Sequence, residues 1–310
     1  MDIASLIFSP TFLATIIRMT TPLLFASLAG IVVAQVGMMN LAIESTMLTA
    51  ALMGVLFSAW THSAWLGLLI AVVIGVFMSF VIAYAALVLK ADMFMNGVAF
   101  NLMMAGGTTF ILYIVTGSKG MSSGVLSLTL PNVNIPLIQD IPVLGEVLSG
   151  HNVLTYIAVL MAVLMHVFLF RTKLGLRLRM VGQNDSAAES VGINSVRIKI
   201  LAMCIAGVMA ALGGCFMSMG YVSWFQTNMT AGRGFIGMAS AALGGNRPLG
   251  GALASLLFGT ADAVANTAST LNIPSELVQM LPYLVTMIGL VVAAKSAQNQ
   301  KMKKKKVDKV

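Results

Sequence analysis

"RTKLGLRLRMVGQNDSAAESVGI" runs from Arg171 to Ile193 and is the most polar stretch of its length before the C-terminal tail. Around it the chain is apolar: of 310 residues, 58% are hydrophobic and only 9% charged. A soluble domain is charged at about a quarter of its positions. No soluble fold hides so much apolar surface, so the solvent must be lipid. The 29 glycines and 24 methionines suit a helical membrane protein, in which small residues let helices approach closely. A polar stretch between apolar runs is then a loop leaving the bilayer. Its first basic residues, Arg171, Lys173, Arg177 and Arg179, mark the side on which it leaves.

Working outward, apolar runs of about 20 residues are long enough to cross a bilayer. They fall at Met19–Met38, Leu41–Trp60, Ala64–Leu89, Met93–Val115, Val153–Phe170, Ile200–Met219 and Leu277–Ala294. Gly232–Val264 is too long for one crossing and is broken by "GGNRPLGG" (Gly244–Gly251). It reads as two short helices, Gly232–Leu243 and Leu249–Val264, which either both cross or form a re-entrant pair. The expected fold is an all-α polytopic bundle of about 8–10 membrane segments in a single membrane domain covering 1–310. Four helices on each side of Val153–Phe170, entering from opposite faces, suggest an inverted repeat.

Basic residues set the orientation. Arg171–Lys199 carries six Lys/Arg and the tail Lys295–Val310 carries seven, so both belong in the cytoplasm. This puts the N-terminus outside, with Thr11–Arg18 lying flat at the outer interface. The tail "KMKKKKVDK" (Lys301–Lys309) reads as a solvated segment that favours anionic headgroups, and no nucleic-acid role is expected. The largest outer segment, Thr116–Asn152, is rich in Gly and Pro and reads as loop with one short helix.

Several matches to chemical motifs lack the context they need. "GRGFIG" (Gly232–Gly237) has dinucleotide-site spacing but no βαβ unit around it. "GMSSG" (Gly120–Gly124) has the spacing of a nucleophile elbow, yet it sits in a small-residue outer loop expected to be flexible. His62, His151 and His166 match no metal-ligand spacing, and no metal is expected. Cys204 and Cys215 are too far apart on one helix for a disulfide. There is no Gly-Lys dipeptide for a phosphate-binding loop, so any ATP must bind another chain. No catalytic cluster is visible, and an enzyme is not expected.

Polar residues within apolar runs are candidates for a solute pathway. Asn40 and Glu44 open the second helix in "NLAIES" (Asn40–Ser45), either as its N-terminal cap and first-turn acid or as groups at a break between two helices. Asn96, Asn101 and Thr108 lie on the fourth helix, where they either bond between helices or line a polar path. Gln226, Arg233 and Asp262, with Trp224 and Phe225, could line an outer vestibule. In the central loop, Ser186-Ala187-Ala188-Glu189 has the form of a capping box and Gly192 stands where a glycine cap belongs. A short helix, about Ala187 to Val191, should lie across the cytoplasmic surface as a docking element.

These residues carry a family resemblance. Arg171–Ile193 resembles the cytoplasmic coupling loop of ABC-importer permeases of the ribose and branched-chain amino-acid type. "GMMNLAIES", "AFNLMMAGGTTF" (Ala99–Phe110) and "GRGFIGMASAALGGNRPLGGALASLLFG" (Gly232–Gly259) are similar to the nucleoside-importer permeases. The resemblance covers roughly residues 12–295 and implies the permease subunit of an ATP-driven importer in the bacterial plasma membrane. It implies a second permease subunit, an ATPase that binds ATP and Mg, and an extracytoplasmic solute-binding protein or lipoprotein. Coupling to the ATPase would fall to Gly182, Asn184, Ser186, Ala187, Ala188, Glu189 and Gly192 within the loop 171–199. The same machinery carrying a sugar or an amino acid is the near alternative. A self-contained secondary transporter or channel is the alternative of another class.

Overall fold

A computed structural model describes residues 10–122, 124–134, 145, 147 and 149–268. The elements are α1 (Pro10–Gln35), α2 (Ile43–Thr61), α3 (Ala64–Leu87), α4 (Met93–Thr116), β1 (Asn132–Val133), β2 (His151–Asn152), α5 (Val153–Arg171), α6 (Lys173–Gln183), α7 (Asp185–Ser190), α8 (Ser195–Met219), α9 (Arg233–Leu243) and α10 (Pro248–Ala268). Among the described residues seven helices, α1 to α5, α8 and α10, are long and apolar enough to cross a membrane. The all-α polytopic bundle expected from the apolar runs is therefore what forms. The run Leu277–Ala294 and the lysine tail lie outside the described residues.

The core is built around α8, which packs on α1, α2 and α3, while α1 also packs on α9 and α10. Small residues allow this. A side chain at Gly207 would meet Ser79 Oγ and Gly75 O at 2.6 and 2.7 Å, so α8 and α3 touch backbone to backbone. α4 stands at the edge. Only 11% of its most apolar window is buried within the chain, against 78% for α2.

Two helix starts lie more than a turn ahead of the hydropathy reading, both for local reasons. Thr11–Arg18 is not a separate interfacial segment but the first turns of α1, because nothing between Thr11 and Arg18 interrupts the helical hydrogen bonds. The Arg18 guanidinium lies 4.0 Å from the Tyr221 ring centroid, so its charge has an internal partner. α8 begins at Ser195 rather than Ile200, because Asn194 caps it by accepting from Arg197 N at 2.9 Å. Hydropathy misses this first turn because Arg197 and Lys199 lie in it.

Gly232–Val264 resolves into unequal parts. α9 has 11 residues, about 16 Å of helix, too short to cross a core about 30 Å thick. α10 is nearly twice as long. Gly237 lies against Ala26 and Gly30 against Met238 and Ala241, so α9 runs parallel to α1. Gly251 lies against Ser27 and Ile31, and Gly259 against Thr20, so α10 returns antiparallel. The reversal between them uses Gly245 and Asn246, both left-handed at φ +65° and +54°, and Asn246 O accepts from Gln35 Nε2 at 2.7 Å. Among the described residues α10 alone of this pair is long and apolar enough to cross, and α9 packs beside α1 as a half-length helix.

At the end of the bundle away from Arg171–Lys199, the loop expected to be flexible is a bonded strap. Ser122 N donates to Phe225 O, Ser127 N to Ser223 O and Leu130 N to Met219 O, at 2.8–2.9 Å. Ser122 Oγ accepts from Phe225 N at 2.9 Å and is fully buried. Asn152 joins three segments, donating to Leu130 O and Gly220 O and accepting from Leu154 N.

Candidate functional site

The start of α9 leaves backbone N–H groups without intrahelical partners, inside the bundle where they need acceptors. Glu44 supplies the acceptors. Its Oε1 accepts from Gly232 N at 2.8 Å and its Oε2 from Gly234 N at 2.6 Å. Glu44 sits in the first turn of α2 and is 9% exposed. One carboxylate therefore lies between two helix N-termini, whose dipoles both favour it. Gly234 is required by the approach: a Cβ there would lie 2.7 Å from both Glu44 N and Oε2.

The start of α2 is also internal, and its cap comes from another helix. Asn101 on α4 accepts from Ser45 N at 3.0 Å and donates to Leu41 O at 2.9 Å. Asn101 lies eight residues into α4, so α2 begins roughly 12 Å from the end of that helix. Asn40 does not cap α2. Its Oδ1 accepts from Ala42 N at 3.0 Å and holds the turn before the helix, whose N-cap position is Ala42. Asn96 Nδ2 donates to Ile82 O at 2.9 Å and ties α4 to α3. Thr108 is buried and bonds Met104 O of its own helix.

Arg233 pairs with Asp262 rather than with Glu44. Its Nε lies 3.6 Å from Asp262 Oδ2, which links the start of α9 to α10. Gln226 is exposed on the strap and bridges to Met121 through the backbone. Phe225 is not a vestibule wall: it is fully buried, under the Ser122 turn. So Glu44, Arg233 and Asp262 come together around one helix start, Asn40 and Asn101 shape the adjoining one, and Asn96, Thr108 and Gln226 stand apart. Gly232 and Gly234 complete the junction and are missing from the expected set. Their signal was the "GRG" start of a helix, which reads as packing when taken alone.

The central loop folds as two helices. α6 presses on the end of α1, and a side chain at Gly182 would run into Gln35 O. α7 spans Asp185–Ser190, not Ala187–Val191, and its cap is Asn184 rather than Ser186. Asn184 Oδ1 accepts from Ala187 N at 3.0 Å, so the box starts two residues earlier than its pattern suggests. Ser186 lies in the first turn, where its carbonyl accepts from Ser190 Oγ. Gly192 closes the helix with φ +81°, its N–H donating to Glu189 O. Ala188 faces inward at 1% exposure, so it anchors α7 and cannot present it. Ser186, Ala187 and Glu189 are exposed, as is Val191 at 65%. Asp185 pairs with Lys199 and fixes α7 to the root of α8.

Seven membrane-length helices, two helix starts capped from other helices and a polar helical projection define a multi-pass membrane protein. Residues 12–290 match the model of the branched-chain amino acid transport system permease component, and the chain belongs to that family. It is 31% identical over 288 residues to the nucleoside ABC transporter permease protein NupC of Lactococcus lactis subsp. cremoris, covering 89% of this chain and 90% of the relative. It is 31% identical to the guanosine ABC transporter permease protein NupQ of Bacillus subtilis, over 87% of each chain. The putative glucose ABC transporter permease protein TsgC13 of Haloferax volcanii is 29% identical over 86% of this chain and 80% of its own. No solved structure matches.

Proposed function

We propose that the chain is a pore-forming subunit of an ATP-driven nucleoside importer in the bacterial plasma membrane. It pairs with a second permease subunit, takes solute from an extracytoplasmic binding protein and is driven through α6 and α7 by a separate ATPase. The single observation that carries the substrate class is the full-length similarity to nucleoside and guanosine permeases. A second permease as partner is supported by two similar relatives from one organism, NupC and the nucleoside permease NupB, the latter 27% identical over 84% of this chain. The poorly covered α4 gives such a subunit, or lipid, an apolar face to meet.

The Glu44 junction favours an uncharged solute. Where a transporter unwinds its helices at mid-membrane, the exposed N-termini are ready-made sites for an anionic solute group. Here the α9 end is occupied by the protein's own carboxylate and the α2 end by the Asn101 side chain. An amino-acid carboxylate has no such end left at this junction, whereas a nucleoside or a sugar needs none. The similarity to a glucose permease keeps a sugar as the second reading. Uptake of labelled guanosine by cells expressing the complete importer tests the substrate. Competition by other nucleosides but not by glucose, ribose or leucine is expected. Competition by a sugar alone would establish the second reading.

A further inference from the structure

Gln35, Phe170, Arg179, Gly182, Asn246 and Arg247 line an open cavity of about 370 Å³ where α5 ends and α10 begins. The Arg179 guanidinium lies 4.8 Å from the Phe170 ring centroid. Its Nε is buried with no hydrogen-bond partner among the described residues. Arg247 stands exposed on the adjoining 244–247 turn. The ion pairs among the described residues are Lys199–Asp185 and Arg233–Asp262, so neither cavity arginine has a carboxylate partner among those residues. Two cations lining one cavity repel each other, and a buried donor without an acceptor is costly.

An anion with several acceptor oxygens meets both needs, and phosphate matches the guanidinium fork. We propose that this cavity binds a phosphate group, either on the headgroup of an anionic phospholipid or as free phosphate. The surroundings favour the lipid. α5 and α10 pack on each other, and the turns leading away from the cavity carry exposed apolar side chains, Val163 and Val167 on one helix, Leu249 and Leu253 on the other. They offer acyl chains a surface below a fixed headgroup. The site is separate from the Glu44 junction and does not depend on which solute is carried.

The test uses the whole importer complex, purified in mild detergent with added phosphatidylglycerol and examined by native mass spectrometry. Arg179→Gln and Arg247→Gln should each lower retained phosphatidylglycerol about tenfold, the effect of losing one charge-assisted hydrogen bond to the phosphate. Arg177→Gln, which removes an exposed charge from the same helix, should retain the wild-type amount. Release by millimolar inorganic phosphate supports the site with free phosphate as its source. Retention against phosphate, with phosphatidylcholine not retained, supports the lipid. Unchanged retention in both cavity variants, or an equal loss in Arg177→Gln, overturns the proposal. Arg247 lies on an exposed turn, so its variant keeps the test decisive if Arg179→Gln does not fold.

Discussion

Glu44 and Gly234, 190 residues apart, meet at 2.6 Å through a carboxylate oxygen and a backbone N–H. With the companion bond from Gly232 N, this contact ties the start of α2 to the start of α9. Glu44→Gln leaves one acceptor oxygen and turns an amide N–H toward a second donor. One buried N–H is then unmet, at a cost of about 1–3 kcal/mol. Gly234→Ala should be worse, because its methyl meets Glu44 backbone as well as the carboxylate. Thermal unfolding in detergent and nucleoside uptake should both fall, with Gly234→Ala near the null level. Wild-type stability in Glu44→Gln would show that the junction holds nothing together.

Asn101 and Thr108 share a face of α4 but should behave differently. Asn101→Leu removes the shared partner of Ser45 N and Leu41 O at the α2 start and should destabilise by about 1–3 kcal/mol. Thr108 bonds only within its own helix, so Thr108→Val should cost less than about 1 kcal/mol and leave uptake intact. Loss of uptake in a stable Thr108→Val variant would instead place that hydroxyl on the solute path.

On α7 the inward and outward residues separate folding from coupling. Glu189→Lys alters an exposed position and should stay within about 0.5 kcal/mol of wild-type stability while lowering ATP-driven uptake. Asn184→Ala removes the cap and should cost about 1 kcal/mol, with a partial loss of uptake. Ala188→Trp forces a large ring into a filled site and should unseat the helix. Co-purification of the ATPase reads the difference. Normal uptake and normal co-purification in Glu189→Lys would rule out α7 as the contact.

Arg233 and Asp262 form a partly buried pair, so each single neutralisation should hurt more than both together. Double-mutant analysis of Arg233→Gln and Asp262→Asn should give a coupling of about 0.5–3 kcal/mol. Additive effects on melting would mean that the 3.6 Å pair carries no coupling.

Much of this architecture is legible from composition and pattern. α3, α4 and α5 begin where the apolar runs begin, at Ala64, Met93 and Val153, because a polar residue (Ser63, Asp92 or Asn152) caps each start. Gly192 is readable because a left-handed helix end favours glycine. What escapes is long-range. Glu44 looks like an ordinary first-turn acid of its own helix, and no local rule says that it serves a helix almost two hundred residues later. Asn184 and Ser186 both have capping chemistry, and only the observed turn chooses between them. Ala188 was expected on the docking face because the short helix carries too few apolar residues to show which side faces inward.

Gly182 and Gln35 touch backbone to backbone, with no side chain between them. A side-chain contact has compliance, since rotamers can yield and absorb part of any displacement. This one has none, so a small movement of α6 passes undiminished to α1, and α1 lies against α8, α9 and α10 alike. The joint works as a strut without backlash. Any side chain added at position 182 would act less as a weakened contact than as a wedge driven between α6 and α1.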